Sequence, residues 1–248
     1  MSIKLQSLLF LFVFVASDPV LVAEETDPLG RQLKSYQVRY AESAIKIDGR
    51  LDEPAWKSAA EMDSFEFPWW EAGTQEQTQA KLTWDNEYLY VSFVCEDVYI
   101  SAEHVERDSP VYYDDCVEVF TSPNPDQLEK YFNIEMNVIE ASLDFFHPEG
   151  PGTKTDWDPA IQIATTVDGT LNDDSDLDRG WVLEVAIPFS AFKDVAKNTP
   201  PHIGDVWRLN LNRLGGKTNP QKSQWSPGDP DDPNFHAPQY FGRVTFIK

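Results

Sequence analysis

Polar side chains occupy every second position in three segments of this 248-residue sequence. Side chains alternate between the two faces of a β-strand, so each segment would present its polar residues on one face. Carboxylates, amides and a guanidinium in fixed positions can exchange hydrogen bonds with the hydroxyl groups of a sugar. An ordinary solvated face of an antiparallel sheet is the alternative. The polar residues are Glu118 in the first segment, Asn133, Glu135 and Asn137 in the second, and Arg208, Asn210 and Asn212 in the third.

Two of these residues, Glu118 and Glu135, raise the alternative of glycoside hydrolysis. A glycosidase needs two carboxyl groups about 5 to 10 Å apart across a cleft, and neighbouring strands could supply that separation. However, no residue pattern separates an acid from a nucleophile, and the sequence lacks a nucleophile elbow, a phosphate-binding loop and a Cys/His catalytic pair. We therefore expect binding without catalysis. A haem domain for electron transfer, with Met62 or Met136 and a histidine as axial ligands, is a further alternative.

Short strands must position these residues. Period-two patterns separated by turn residues predict an all-β fold, an antiparallel β-sandwich or jelly roll with a short N-terminal helix. Helical pieces are predicted from Glu53 to Ala60 and from Phe189 to Phe192. The predicted strands are Ala80–Trp84, Leu89–Cys95, Cys116–Thr121, Tyr131–Val138, Ala141–Phe146, Ala160–Thr166, Trp181–Pro188, Val206–Arg213 and Tyr240–Ile247.

The segment that leads into the first helix combines a strand, a turn and a helix start. Ile45–Ile47 alternates as a half-buried strand does, and Gly49 suits a turn because glycine accepts a positive φ. Asp52 is predicted to cap the helix through its carboxylate. The large apolar side chains expected in the core are Trp56, Trp84, Trp181 and Trp207.

This opening, Ile47-Asp48-Gly49 followed by Asp52 and Trp56, resembles the start of family 9 carbohydrate-binding modules and their DOMON-like relatives. Later segments resemble the family in the same order, and the resemblance extends roughly from Tyr36 to Lys248. It implies a non-catalytic domain that binds a sugar or a polysaccharide chain end. The later segments are Leu89-Tyr90-Val91 closing on Glu96-Asp97, Asp115–Phe120, Trp181–Pro188 and Tyr240-Phe241-Gly242.

The resemblance also implies where a sugar would bind. Family 9 modules hold a terminal sugar between two aromatic side chains. The positions of this chain that align with those side chains are Tyr112 and Phe235. The family has tryptophan at both positions, so this clamp would be smaller, with Tyr113 and Trp225 as nearby substitutes. Packing at a loop edge is the alternative for Tyr112 and Phe235.

Among the polar residues, Glu118 aligns with a family position that bonds sugar hydroxyls. Glu135, in contrast, falls where the sugar-clamping members have an arginine. The predicted carbohydrate-binding set is Tyr112, Phe235, Glu118, Glu135, Asn212, Arg208 and Trp225.

An acidic run at residues 173–178 raises the question of a metal. Its alternating carboxylates resemble the start of a calcium loop, but the bidentate glutamate of an EF-hand is missing. A hairpin turn at Asp178-Arg179-Gly180 is the simpler interpretation. The family resemblance implies a structural calcium ion, with Asp174, Asp176 and Asp178 as weak candidate ligands. No organic cofactor is expected, nor is zinc, because the four histidines at 104, 147, 202 and 236 lack ligand spacing.

The two cysteines, Cys95 and Cys116, lie at the end of one predicted strand and the start of another. If those strands were adjacent, a disulfide closing this loop of about 20 residues would contribute about 3 kcal/mol. Two buried free thiols are the alternative.

The net charge and the N-terminal segment indicate which partners and which cellular location to expect. A net charge of -22 disfavours a nucleic-acid partner, because phosphates would be repelled, while sugars and cations are compatible. Residues 1–23 resemble a signal peptide with cleavage between 17 and 23, since an apolar run from Leu8 to Val15 follows Lys4. Residues 24–35 are predicted to be flexible and 36–248 to form one domain. We therefore expect a secreted or periplasmic monomer without a membrane span that binds an oligo- or polysaccharide, the alternative being a structural or adhesive surface protein.

Overall fold

The fold is built almost entirely from β-strands. A computed structural model describes residues 25–217 and 219–248, so the predicted signal peptide, 1–23, lies outside the described residues. Strands account for 36% and helices for 8%. The strands are β1 (Ser35–Tyr40), β2 (Thr78–Trp84), β3 (Tyr88–Glu96), β4 (Cys116–Ser122), β5 (Tyr131–Asn137), β6 (Ser142–His147), β7 (Thr155–Asp156), β8 (Gln162–Asp168), β9 (Gly180–Pro188), β10 (Val206–Leu214), β11 (Lys222–Gln224) and β12 (Gly242–Ile247).

All these strands belong to one sheet. Its order is β7-β6-β5-β4-β10-β12-β1-β2-β3-β9-β8, and β11 pairs with β10 beside this path. β1 is parallel to both of its neighbours, β12 and β2, whereas the other pairs are antiparallel. The sheet is therefore mixed, and it curls into half a barrel. The nearly all-β prediction is confirmed, but a purely antiparallel arrangement is wrong at β1.

The main core lies inside the curl. It draws on both halves of the sheet, because the apolar residues at alternate positions of each strand point to the same inner face. β4, β5 and β10 contribute from one half, and β2, β3 and β9 from the other. The four tryptophans predicted to be buried, Trp56, Trp84, Trp181 and Trp207, are all confirmed as buried.

The nine predicted strands all occur, with ends displaced by one or two residues. The helix α1 (Pro54–Ser58) is shorter than predicted, and its N-cap is Glu53 without a side-chain cap bond, so the expected cap by Asp52 is wrong. Ile45–Ile47 belongs to no strand. Its two isoleucines instead pack, half-buried, beside Trp56 outside the main core. The predicted helical piece Phe189–Phe192 is a 3-10 turn.

The opening motif is held by one buried carboxylate from β9. Glu184 accepts hydrogen bonds from the Trp56 indole at 2.7 Å and from the backbone amides of Asp48 and Gly49 at 3.1 Å each. Gly49 has a φ of +74°, and a Cβ there would lie 2.7 Å from the backbone of Thr165. These hydrogen bonds fasten residues 45–56, which we call the entry segment, onto the sheet.

The N-terminal part of the described chain contacts the domain. Arg31 bonds to Asp27 and donates to the carbonyl groups of Pro227 and Gly228, while Glu25 pairs with Arg208. β1 then begins at Ser35, one residue before the predicted domain start. None of the helices in 25–217 and 219–248 is long and apolar enough to cross a membrane.

The disulfide prediction is wrong. Cys95 and Cys116 are both free and buried. Cys95 on β3 lies in the main core, whereas Cys116 on β4 belongs to a separate cluster with Val111, Ala141 and Leu143 on the other face of the sheet. β10, β12, β1 and β2 lie between the two strands in the sheet order, so the strands are not adjacent as the prediction assumed.

Candidate functional site

The predicted polar face is the outer face of β6, β5, β4, β10 and β11. Strand register places five side chains directly opposite one another in a row across these strands: Leu143, Glu135, Glu118, Asn212 and Gln224. Directly opposite residues have Cβ atoms about 4.5 to 5.5 Å apart. The alternation in the sequence thus brings Glu118, Glu135 and Asn212 together as predicted. We call these three residues the platform.

Hydrogen bonds fix the platform side chains. The Asn212 amide donates to Glu118 Oε2 at 3.1 Å, and the Asn133 amide donates to Glu135 Oε1 at 2.9 Å. Asn133 is in turn held through its carbonyl oxygen, which lies 2.8 Å from Nε2 of His147 on β6. The platform is therefore preorganised, with each amide orientation set by a carboxylate.

Two platform acceptors have no hydrogen-bond partner. They are Glu135 Oε2 and Asn212 Oδ1, which are both buried. A buried polar atom without a partner is costly, and such atoms are found where a ligand or an ion is bound. Glu118 and Glu135 also form no ion pair with any lysine or arginine in the described ranges. Glu135 Oε2 and Asn212 Oδ1 therefore lack a donor among the described residues.

Burial governs the protonation of the two glutamates. It raises the pKa of Glu118 well above its usual range, and the negative charge of Glu135 adds to this effect. Burial likewise raises the pKa of Glu135 to about 7, although the bond from Asn133 acts in the opposite direction. Two adjacent carboxyl groups in a desolvated place resist double ionisation, so the pair retains a proton near neutral pH.

Aromatic residues flank the platform along the strand direction. On one side, Val111 of the 3-10 turn Val111–Tyr113 packs beside Cys116, and Tyr112 in the same turn is 40% exposed. On the other side, the half-buried Phe235 packs against Phe120. Cys116 and Phe120 lie two residues before and after Glu118 on β4, about 13 Å apart by strand geometry. Tyr112 and Phe235 thus lie on opposite sides of Glu118, and their flanking of a bound sugar stays a prediction.

Tyr112 also lies in the electrostatic environment of the platform. Partial burial raises the pKa of its hydroxyl first, and the neighbouring Tyr113 and the charge of Glu135 raise it further. The rings of Tyr112 and Tyr113 lie 4.6 Å apart, and Tyr113 is the more exposed of the two. Tyr113 therefore remains available as the substitute that the sequence suggested.

Several site residues were not predicted. The half-buried Trp69 ring lies 5.3 Å from Phe235, and its indole donates to the carbonyl of Asp229 at 2.7 Å, so it extends this aromatic flank. The doublet Trp69-Trp70 after a proline was the available signal, since two large aromatics in a predicted loop are unusual. His147 and His236, distant in sequence, have ring centroids 5.1 Å apart beyond Asn133. Their proximity follows from the sheet order, which the sequence pattern does not specify.

Two predicted binding residues do not belong to the platform. Trp225 is fully buried in the main core, where its ring packs over Gly242, so its proposed role as a clamp substitute is wrong. Arg208 is also buried, and its guanidinium donates to Glu25 and to the carbonyl groups of Phe241 and Gln239. Arg208 therefore fastens the N-terminal segment and the loop before β12, and we remove it from the site.

Two of the candidate calcium ligands, Asp176 and Asp178, are engaged in hydrogen bonds within the protein. Both carboxylate oxygens of Asp178 accept backbone amides, from Ile100 and Thr170, and Asp176 accepts the Thr170 hydroxyl. These bonds close the loop between β8 and β9, consistent with the hairpin alternative. Asp174 is exposed and does not join Asp176 and Asp178 in a group with metal-ligand spacing.

Two other clusters of carboxylates among the described residues are paired with arginines. Asp108, Asp144 and Asp158 bring ligand atoms within 4.8 Å of one another, and the Arg107 guanidinium lies 2.8 Å from Asp144 and 2.9 Å from Asp158. A second cluster surrounds the buried Arg213, whose Nη2 lies 2.8 Å from Asp97, 3.8 Å from Asp115 and 3.9 Å from Glu76. In both clusters a guanidinium already occupies the position in which a metal ion would balance the charge.

The catalytic and haem alternatives find no support in this geometry. Glu118 and Glu135 are adjacent, buried and on the same face, whereas a glycosidase pair lies on the two sides of a cleft. Met62 and Met136 both lie in the main core, while His147 and His236 pack on the outer face of the sheet. An axial pair of the predicted kind is therefore not assembled from these residues.

Known proteins show similarity to the sequence and to the fold. The family described as carbohydrate family 9 binding domain-like matches residues 47–248. A candidate carbohydrate-binding protein from Bacteroides uniformis shares 19% identity at a TM-score of 0.74, with 87% of this chain and 100% of that chain covered. No curated protein matches the chain.

Two further similar structures are family 9 carbohydrate-binding modules from Caldicellulosiruptor kristjanssonii. One is in complex with cellotriose, at 18% identity and a TM-score of 0.60, covering 86% of this chain and 94% of that chain. The other is in complex with glucose, at 18% identity and a TM-score of 0.59, covering 86% and 95%. Identities this low show the fold, and the family follows from the sequence match over most of the chain. The chain belongs to the carbohydrate family 9 binding domain-like family.

Proposed function

We propose that this domain binds the end of a sugar chain at the platform, with Tyr112 and Phe235 on either side of the sugar. The observation that carries this proposal is the pair of buried, unpartnered acceptors, Glu135 Oε2 and Asn212 Oδ1, flanked by the exposed Tyr112 and the half-buried Phe235. Sugars combine hydroxyl donors with apolar C–H faces, so acceptors below and rings beside the ligand suit their chemistry. The platform half of the sheet would then be one layer of a jelly-roll sandwich.

Non-catalytic carbohydrate binding is the function of the family to which the chain belongs. Catalysis on the bound sugar would therefore come from other proteins or domains. We further propose that the domain is exported, that it acts as a monomer, and that its partner is an oligo- or polysaccharide. The complexes of similar modules with cellotriose and glucose support a glucan as the first ligand to test.

The test is calorimetry with cellotriose on variants of the two flanking rings. Stacking on an aromatic ring contributes about 1 to 3 kcal/mol in the analogous case of nucleic-acid bases. Tyr112→Ala and Phe235→Ala should therefore each weaken binding about 5- to 150-fold. Tyr112→Ala should leave the fold intact, because the ring is 40% exposed.

Trp207→Ala serves as the contrasting variant. Trp207 is buried in the main core, so its removal should create a cavity and destabilise the domain by about 3 to 5 kcal/mol. Undiminished affinity in both Tyr112→Ala and Phe235→Ala would place the site elsewhere. Absence of binding by the unaltered domain across a glycan array would favour a structural or adhesive role.

A further inference from the structure

The platform differs from a neutral sugar site in its balance of charge and hydrogen-bonding groups. It contributes two carboxyl groups and one amide group, and the Asn212 amide already donates one hydrogen bond to Glu118. Two platform atoms, Glu135 Oε2 and Asn212 Oδ1, have no partner, and both belong to residues that are more than nine-tenths buried. The single proton that the glutamate pair retains can satisfy at most one of them. A ligand that matches this set is rich in donors and carries positive charge.

No cation of the described chain supplies that charge. Lys154 and Lys222 are the lysines whose charge acts on the two glutamates, yet both are exposed and neither forms an ion pair with Glu118 or Glu135. Lys154 lies instead over the Phe145 ring, 4.1 Å from its centroid. Phe145 is directly opposite Asn133, which shows that an ammonium group can rest on this face of the sheet without pairing with the buried carboxylates.

We propose that the platform recognises an amino sugar with a free, protonated amine, whose ammonium group binds between Glu118, Glu135 and Asn212. This inference rests on the proposed function, since it names the class of sugar bound at the same site. An ammonium group has three donors and no acceptor, so it can bond to both carboxylates and to Asn212 Oδ1 at once. A hydroxyl group has one donor and no positive charge, so it cannot balance the charge of two ionised carboxylates.

Binding of an ammonium group should change the number of protons bound to Glu118 and Glu135, and this change can be measured. At neutral pH the pair retains a proton, and an arriving ammonium group favours the ionised form of both carboxylates. Binding should therefore release protons to the solvent, whereas a neutral sugar should leave the pair protonated. Calorimetry in two buffers with different ionisation enthalpies measures that release.

The decisive ligands are three β-1,4-linked trimers that differ only in the group at C2. The trimer of glucosamine carries an ammonium group there, the trimer of N-acetylglucosamine an amide, and cellotriose a hydroxyl. Hydrogen bonds to charged groups predict about 10- to 150-fold tighter binding of the glucosamine trimer at about pH 6. The preference should decrease as salt is added, because part of the interaction is electrostatic.

Glu135→Gln tests the named residue. It keeps the shape of the side chain and removes one charge, so it should reduce the ratio of glucosamine-trimer affinity to cellotriose affinity at least several-fold. Glu87→Gln is the matched control, since it removes the same charge from an exposed position between β2 and β3. An equal fall in both variants would mean that the preference reflects only the overall charge of -22 and would overturn the inference.

The outcomes separate this inference from the proposed function. If cellotriose binds, Tyr112→Ala weakens that binding, and the glucosamine trimer binds no tighter, then the sugar site stands and the amino-sugar inference falls. If none of the three trimers binds, the amino-sugar inference is overturned, and the glycan array then decides whether the proposed function falls as well. Tighter binding of the glucosamine trimer with proton release, reduced by Glu135→Gln and not by Glu87→Gln, supports the inference.

Discussion

Cys95 and Cys116 lie on opposite faces of the sheet, and this placement determines whether their thiols can pair or react. Burial raises the pKa of Cys95 to about 12 and that of Cys116 well above its usual range, so both thiols are protonated and unreactive in the folded protein. We predict two titratable thiols per chain after unfolding without reductant, and slow reaction before unfolding. A thiol count near zero in the unfolded, unreduced protein would contradict the separation of the two cysteines.

For the platform residues, alternation in the sequence predicts the face of the sheet but not the degree of burial. Period-two patterning correctly placed Glu118, Glu135 and Asn212 on one face, because side chains of paired strands share faces. The same pattern fits a solvated face equally well, so the burial of these residues could not be predicted. Burial depends on tertiary contacts between distant segments, and those contacts are not encoded in any local period. Arg208 and Trp225 were misassigned for this reason.

The entry segment depends on a single element, strand β9, for its attachment. We predict that Glu184→Ala destabilises the domain by about 3 kcal/mol or more, because it leaves the Trp56 indole and the amides of Asp48 and Gly49 without their acceptor. Urea unfolding measures the loss. Glu87→Ala, at an exposed turn, is the control and should change stability by less than about 0.5 kcal/mol. Equal stability of Glu184→Ala and the parent would show that water replaces the carboxylate at no cost.

A second prediction concerns the loop that carries Arg107 over β6. Asp144 is buried, and burial raises its pKa to about 7 although Arg107 opposes that shift. We predict that Arg107→Gln destabilises the domain by about 1 to 3 kcal/mol, a discounted value because Arg107 is partly exposed. The variant should also become calcium-responsive, since Asp108, Asp144 and Asp158 would then face one another without a cation.

Thermal melting with calcium and with chelator tests this prediction. The unaltered protein should show nearly the same midpoint in both, because Arg107 neutralises this cluster and Arg213 the other. Arg107→Gln should melt several degrees higher with calcium. A large chelator effect on the unaltered protein would instead restore the structural calcium ion that the family resemblance implied.

The positions of individual strands could be predicted from the sequence, whereas the strands with which they pair could not. Nine strands could be located because each combines alternation with flanking turn residues. β1 has the same alternation, with Tyr36 and Val38 buried, but it was missed because its polar residues lie next to a polar N-terminal stretch. Its parallel pairing with β2 and β12 could not be foreseen, since a local pattern does not specify a distant partner. The expected pairing of the cysteine-bearing strands failed for the same physical reason.

At the scale of the whole molecule, the buried carboxyl groups and the buried histidines have opposite effects on how the free energy of unfolding depends on pH. Burial raises the pKa of Asp115, Glu135 and Asp144 to about 7 and that of Glu118 further. These carboxyl groups are ionised in the unfolded chain above about pH 5, so the stability that they contribute is lost as the pH rises through about 7. Burial lowers the pKa of His147 and His236 to about 4, so their contribution is present above about 6.5 and is lost as the pH falls toward 4.

Above about pH 6.5 the contributions of His147 and His236 each change by less than about 0.5 kcal/mol, so the interval from there to about pH 8 mainly reports the carboxyl groups. We predict that the free energy of unfolding falls by roughly 2 to 4 kcal/mol across this interval, since each retained proton contributes up to about 1.4 kcal/mol per pH unit. Urea unfolding at constant ionic strength measures the change. Glu118→Gln should reduce the slope, because the amide cannot ionise, whereas Glu87→Gln at its exposed turn should preserve it. A free energy of unfolding that is constant or rises between these pH values would show that Glu118 and Glu135 are already ionised at neutral pH, and the platform would then have to be treated as a permanently doubly charged site.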